Sequence, residues 1–104
     1  MPRARHGDLW IADLGFVAKV RPVLIMSVDY RAGERAVVTY IIRTPSVRGT
    51  QYEVPHLLRG MPEGAFDAQG IGSIPDVKLE RRLGVVDAAT LTKVEDAGRS
   101  WLAL

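Results

Sequence analysis

The chain contains no cysteine and only two histidines, His6 and His56, among its 104 residues. Without cysteine it can form neither a disulfide nor a thiolate-bound metal site. The two histidines share no helical or strand spacing, so the sequence does not support a histidine metal site. We therefore expect no metal and no other cofactor.

Long apolar runs are also missing. No stretch approaches the roughly 20 residues that a membrane-spanning helix requires. The opening "MPRARHGDLW" has charge but lacks the apolar segment of a secretory signal. Apolar residues make up 47% and charged residues 25% of the chain, which is typical of one globular domain. We expect a single domain over residues 1–104, located in the cytoplasm, with no membrane partner.

Acidic residues are scarce in the first part of the sequence. Residues 1–60 contain five acidic and nine basic residues, and eight of those nine are arginine. The planar fork of arginine suits phosphate, whereas lysine offers a point charge. A solvated basic surface would explain the same composition, so charge alone does not establish an anionic partner.

The hydrophobic pattern predicts short strands followed by one helix. Alternating or β-branched runs predict strands at 7–14, 21–29, 36–44 and 50–55. A short strand is predicted at 65–69 and a glycine-rich loop at 70–75, while 77–86 fits either a strand or a helix. Short strands at close spacing favour an antiparallel meander that curls into a small barrel. The predicted fold class is mainly β with a C-terminal helix.

The C-terminal segment carries the clearest helical signal. Asp87 is a candidate N-cap. Helical spacing places five residues on one face, which we expect to close the core across one end of the barrel: Leu91, Val94, Gly98, Trp101 and Leu102. Gly98 costs about 1 kcal/mol relative to alanine inside a helix. We therefore expect close packing against it.

Arg21 stands at the beginning of an almost entirely apolar strand, "RPVLIMSVD". Pro22 restricts the residue before it to an extended conformation. The apolar run that follows anchors the backbone in the core. This combination predicts a guanidinium held on a rigid base at the mouth of a buried strand.

The segment "IIRTPSVRGT" (41–50) ends a strand and turns at Pro45 and Gly49. It contains two arginines and three hydroxyl residues: Arg43, Thr44, Ser46, Arg48 and Thr50. Guanidinium and hydroxyl donors on a loop held by strands form a candidate phosphate-binding surface. A polar hairpin loop without function would have the same composition.

Five segments in order resemble the MazF/PemK toxin family: "GDLWIADLG", "RPVLIMS", "TPSVRGTQYEV", "GAFDAQGIGSIP" and "KLERRLGVVDAATLTKVE". The "RPVL" start of the second strand and the "RG…EV" block are the most specific of these. The resemblance covers nearly the whole chain and is nearest to the PemK-like branch.

The resemblance implies an SH3-like barrel of the MazF/CcdB type that forms a homodimer. It implies a toxin of a type II toxin-antitoxin system, which is a ribosome-independent endoribonuclease acting on single-stranded messenger RNA. Cleavage in this family needs no metal and uses the 2′-hydroxyl of the RNA as nucleophile. The expected partner is a cognate antitoxin whose acidic tail occupies the RNA groove.

The family pattern assigns roles to individual residues. Its catalytic arginine matches Arg21 and its catalytic threonine matches Thr44, although the alignment could slip to Ser46. Relatives read Pro-His-Thr-Thr where this chain reads Ile-Arg-Thr-Pro, so only the threonine agrees. The residues expected to bind RNA are Lys19, Arg43, Ser46, Arg48, Gln69 and Tyr52. Phe66 is a further candidate for base stacking, but we expect it in the core.

Two features keep other functions open. The connection "GFVAKV" lacks the glutamate that many relatives carry as a proposed base, which would suit a non-catalytic RNA-binding barrel. Trp101 near the C-terminus would suit a DNA gyrase poison of the CcdB type, which shares the barrel and has no catalytic site.

Overall fold

The computed structural model describes residues 4–17 and 19–104. Ala18, in the connection after the first predicted strand, lies outside the described residues. The described part contains six strands, a single turn of 3-10 helix at Asp76–Lys78 and one α-helix, α1 (Ala88–Leu102). The strands are β1 (Asp8–Asp13), β2 (Val20–Ile25), β3 (Val37–Thr44), β4 (Glu53–His56), β5 (Gly64–Pro75) and β6 (Leu79–Val85).

The strands form one antiparallel sheet in the order β4-β5-β3-β2-β1-β6. Its edges are β4 and β6, and in the described residues these do not pair with each other. The edge strand β4 contains Pro55. Register shifts within the β1–β6 and β3–β5 pairs bend the sheet. The predicted mainly-β fold with a C-terminal helix is confirmed, with a barrel-like sheet that is not closed.

Each face of the sheet supports its own hydrophobic cluster, because successive side chains of a strand point to opposite faces. The helix face packs under α1 and buries Leu9, Leu24, Ile41, Val54, Phe66, Ala68, Val94 and Ala97. The distal face, on the other side of the sheet, buries Ala4, Trp10, Ala12, Val23, Ile25, Val38 and Leu79. A sheet covered on both faces explains the almost continuous apolar run of β2.

The second half of the chain is more regular than its sequence predicts. β5 runs unbroken through the segment 70–75, which we expected to be a loop. Three extra residues enter β5 between the pairs Ile42–Asp67 and Ile41–Ile71, and Gly70 is one of them, whereas Gly72 pairs with Tyr40. A Cβ on Gly70 would lie 2.2 Å from Ile42 Cγ2, so the bulge requires glycine there. Segment 77–86 is mainly strand β6.

The helix begins as predicted. Asp87 accepts hydrogen bonds from the Thr90 backbone N–H at 3.0 Å and the Thr90 hydroxyl at 2.7 Å, which caps the first turn. α1 buries Val94, Ala97 and Gly98 against the sheet. A Cβ on Gly98 would meet only Ile41 Cδ1, at an ordinary 3.7 Å. The expected close packing at Gly98 is therefore wrong.

No helix in residues 4–17 and 19–104 is long and apolar enough to span a membrane.

Candidate functional site

The start of β2 and the end of β3 lie side by side on the distal face. The two strands pair through Val23 and Ile42, and two residues further along each strand stand Arg21 and Thr44. Directly opposed residues of an antiparallel pair point to the same face. Val23 belongs to the distal-face cluster, so Arg21 and Thr44 lie on the distal face, at the rim of that cluster.

A groove of about 270 Å³ opens at these strand ends. This volume is just below the roughly 300–1,000 Å³ typical of small-ligand sites. Its walls come from the start of β2, the end of β3 with the residues that follow, and the β4–β5 loop: Val20, Arg21, Pro22, Arg43, Pro45, Ser46, Met61 and Pro62. Two of these are arginines and none is acidic, so the groove favours an anion.

The Thr44 hydroxyl has a defined orientation. Its Oγ1 accepts a hydrogen bond from the Ser46 backbone N–H at 3.1 Å. Because the oxygen accepts this bond, the hydroxyl proton can be donated to another group. Thr44 is half-buried at the end of β3, and Ser46 is exposed in the groove.

Glu53 organises the loop between β3 and β4. Its carboxylate accepts the Arg48 backbone N–H at 2.9 Å and the Thr50 backbone N–H at 2.7 Å. These bonds, from Arg48 first and then Thr50, hold the pKa of Glu53 below its usual value. Gly49 between them has a φ of +75°, which favours glycine. Arg48 is thereby presented on an ordered, exposed turn.

Arg43 does not face the solvent. Its exposed fraction is 2%, because the alternation of β3 places it with Ile41 on the helix face. The Arg43 Nε donates to His56 Nδ1 at 3.0 Å, and Nη2 donates to the carbonyls of His56 and Pro62 at 2.8 and 2.9 Å. Arg43 lines the groove, but its Nε and Nη2 donors are engaged by His56 and Pro62, which argues against its predicted role as an RNA contact.

His56 is held as a neutral acceptor. Its ring packs on Phe66, with centroids 4.6 Å apart. Burial and then the Arg43 charge lower the pKa of His56, and Asp87 opposes them. Since Nδ1 accepts from Arg43, the ring proton belongs on Nε2.

Tyr52, which we predicted as an RNA contact, is half-buried. Its ring packs edge-on against Trp101 at a centroid distance of 5.3 Å, and it contacts the helix-face cluster. The ring is therefore engaged on the face opposite Arg21. Phe66 lies fully in the core, as expected.

Lys19 and Gln69 lie outside the residues that line the groove. Lys19 is exposed in the β1–β2 loop with a φ of +60°, next in sequence to Val20. Gln69 is exposed at the bulge of β5 and its backbone N–H donates to Asp67 Oδ1 at 3.0 Å.

Phe16 is an exposed aromatic residue that our sequence reasoning missed. It occupies the tip of the β1–β2 loop with its full surface in solvent. An apolar pair, Phe16 and Val17, in a turn between two strands was the available signal.

In the part of the chain that the structure describes, no group of three or more His, Cys, Asp or Glu side chains could hold a metal ion.

Both the fold and the site define a class of small antiparallel-sheet proteins with a basic groove at the strand ends. The family model described as "PemK-like, MazF-like toxin of type II toxin-antitoxin system" matches residues 5–102. The chain therefore belongs to this family, and the predicted resemblance is confirmed.

Solved structures agree with the family assignment. An endoribonuclease from a mycobacterial species has a TM-score of 0.81 and 26% identity, covering 100% of this chain and 95% of its own. An endoribonuclease in complex with its cognate antitoxin, also mycobacterial, has a TM-score of 0.82 and 27% identity, covering 97% of this chain and 96% of its own.

The Mycobacterium tuberculosis toxin MazF-mt6 has a TM-score of 0.79 and 26% identity, covering 93% of this chain and 97% of its own. A comparison with curated protein sequences gave no significant match.

Proposed function

We propose that this chain is the toxin of a type II toxin-antitoxin pair and cleaves single-stranded messenger RNA through the groove at Arg21. The observation that carries the proposal is the placement of Arg21 and Thr44 on one face, each two residues beyond the Val23–Ile42 pair, beside a groove whose lining contains no acidic residue. The family match supports the reaction class. Similarity to named endoribonucleases supports the substrate class.

Arg21 stabilises the charge that develops on phosphorus. Attack by the RNA 2′-hydroxyl creates a phosphorane-like transition state with negative charge on its equatorial oxygens. A bidentate guanidinium binds two of these oxygens more tightly as their charge grows, and this differential binding lowers the barrier. Arg21 does not act as the base, because a guanidinium keeps its proton in a protein.

Thr44 supplies a second donor to the same phosphate. Its oxygen is already occupied by the Ser46 N–H, so its proton is available for a phosphoryl oxygen. Arg48 and Lys19 are exposed and lie outside the residues that line the groove, where they bind the neighbouring backbone phosphates. Gln69 contacts the RNA from β5, and Phe16 stacks on an unpaired base.

The partner we propose is an antitoxin with an acidic segment that lies against the Arg21 groove. Charge complementarity favours this contact because the groove lining contains arginines and no acid. Structures of relatives include an endoribonuclease with its cognate antitoxin. We also propose that the chain acts as a homodimer in the cytoplasm, without a metal ion.

The decisive experiment measures RNA cleavage by purified protein in the presence of EDTA. We expect the wild-type chain to cut a mixed RNA substrate, and Arg21→Ala to lose about 10²–10³-fold in kcat, as the loss of an oxyanion donor does elsewhere. Arg35→Ala is the matched control, since Arg35 is exposed and precedes β3 at the far end of that strand. Folded wild-type protein that leaves RNA intact would contradict the proposal.

The two other hypotheses are not favoured, and an RNA assay together with a gyrase assay separates them. A non-catalytic barrel would bind RNA tightly and yield no product. A gyrase poison would trap double-strand breaks in a gyrase cleavage assay without cutting RNA. Trp101, which suggested that function, packs on Tyr52 and so has a structural role.

A further inference from the structure

The Arg43 side chain links two walls of the groove. It belongs to the end of β3, and it donates to Pro62 of the β4–β5 loop. Arg43 precedes Thr44 at the end of β3. On the helix face, its guanidinium donates to the His56 ring, the His56 carbonyl and the Pro62 carbonyl. Pro62 and its neighbour Met61 form the wall of the groove that the β4–β5 loop provides.

Gly64 shapes the space that holds this guanidinium. A Cβ on Gly64 would lie 2.7 Å from the Thr44 carbonyl oxygen and 2.8 Å from Arg43 Nη1. Real Cβ atoms do not approach other atoms so closely, so the guanidinium and the Thr44 backbone occupy the volume that a side chain at position 64 would need. Gly64 therefore packs closely against both the Arg43 guanidinium and the end of β3.

We propose that Arg43 and His56 together form a clamp that positions Thr44 and the Met61–Pro62 wall around the phosphate held by Arg21. Arg43 is a positioning residue, because its guanidinium touches His56 and Pro62 rather than the groove's ligand. The reacting geometry depends on it because a displacement of about 1 Å can cost 10²-fold in rate. This role rests on the proposed ribonuclease function.

The burial of an arginine is the strongest argument for the clamp. A guanidinium at 2% exposure forgoes hydration, which is unfavourable unless its donors are satisfied. Three donated bonds, from Nε and Nη2 to His56 and Pro62, satisfy these two nitrogens. An apolar side chain would fill the same space, but it could not fix the β4–β5 loop to β3.

The kinetic test compares Arg43→Met, which keeps an unbranched apolar side chain and removes every side-chain donor, with Arg21→Ala and with the exposed-residue control Arg35→Met. We expect Arg43→Met to fold and to lose at least about tenfold in kcat, with KM changed by less than about twofold. Folded Arg43→Met with wild-type kcat would overturn the clamp.

A second pair of variants keeps the test decisive if Arg43→Met does not fold. His56→Gln retains a side-chain oxygen that can accept from Arg43 Nε, whereas His56→Leu removes the acceptor. We expect His56→Gln to keep kcat within about threefold of wild type and His56→Leu to lose about tenfold. Equal kcat values for these two variants would overturn the role of His56.

A third measurement does not depend on catalysis. The Met61 backbone N–H donates to the Leu58 carbonyl at 3.0 Å within the β4–β5 loop, so its hydrogen exchange reports on the order of that loop. We expect exchange of the Met61 amide at least about tenfold faster in His56→Leu, with the amides of β3 unchanged. An unchanged exchange rate of the Met61 amide in His56→Leu would overturn the clamp. If that rate is faster but the wild-type protein never cuts RNA, only the ribonuclease function is rejected.

Discussion

At the scale of single residues, the site depends on which face each strand residue occupies. Thr44 and Arg43 are neighbours in the sequence, yet Thr44 lies on the distal face, whereas the Arg43 guanidinium is buried on the helix face and donates to His56. Residue type alone does not distinguish them, since both offer hydrogen-bond donors that suit phosphate.

The choice between Thr44 and Ser46 as the hydroxyl donor can be settled by two substitutions. We expect Thr44→Val to lower kcat by roughly 100-fold, because it removes a donor aimed at the phosphate. Ser46→Ala should lower kcat by less than about threefold, because the Ser46 contact to Thr44 uses its backbone N–H. Single-turnover cleavage rates measure both, with exposed Thr92→Val on α1 as control. The reverse order of effects would assign the role to Ser46.

Gly64 should be intolerant of any side chain. We expect Gly64→Ala to reduce the free energy of unfolding by roughly 1–3 kcal/mol, as overpacking does, since its methyl group would overlap the Thr44 carbonyl and the Arg43 guanidinium. Urea unfolding at neutral pH measures the change. A loss below about 0.5 kcal/mol would show that the clamp region relaxes easily.

At the scale of secondary-structure elements, the first four strands and the helix are predictable from the sequence. Their apolar residues repeat at strand or helical spacing, and Asp87 marks the helix start. β5 is not predictable in the same way, because the glycines in its second half are typical of a loop. Only the pairing of residues 71–75 with β3 makes that half a strand.

The site was predictable to a similar extent. Arg21 followed from the constraint that Pro22 places on the strand start, and Thr44 from the family pattern. The burial of Arg43 was within reach, because strand alternation already places it on the same side as Ile41. What the sequence does not contain is the distance from Arg43 to His56 and Pro62, which depends on how β4 and its loop return to the sheet.

The interior of α1 tolerates a larger residue than the sequence suggests. We expect Gly98→Ala to raise the free energy of unfolding by about 0.5–1 kcal/mol, since alanine loses less backbone entropy in a helix. The added methyl group would make an ordinary contact with Ile41 at 3.7 Å. Thermal unfolding compared with exposed Ser100→Ala measures the gain. A lower melting temperature for Gly98→Ala would mean that another surface packs on this glycine.

At the scale of the whole molecule, the protonation of the partly buried His56 makes the free energy of unfolding depend on pH. His56 sits between the helix-face core and Arg43, with Asp87 nearby and Glu63 beside the same surface. Its pKa is lowered from the usual 6.5 by burial and then by the Arg43 charge, so the folded state resists protonating it.

The sign of this linkage is definite. Well above pH 6.5 His56 is neutral in both states and contributes no pH dependence. Below that pH the unfolded chain binds a proton that the folded chain refuses, so stability falls as the pH falls towards the lowered pKa. We expect His56→Gln to lose less stability than wild type between pH 7.5 and pH 5.5, measured by urea unfolding at each pH. Equal losses in both proteins would exclude His56 as the source.

One edge of the sheet limits how copies of this chain can meet. Pro55 lies in β4, the outermost strand beside β5, and proline lacks the N–H that another strand would need for a continuous ladder. Repeated strand-to-strand pairing of chains along the β4 edge, as in amyloid fibres, is thereby disfavoured. High local concentrations of the chain therefore need not lead to aggregation from that side of the sheet.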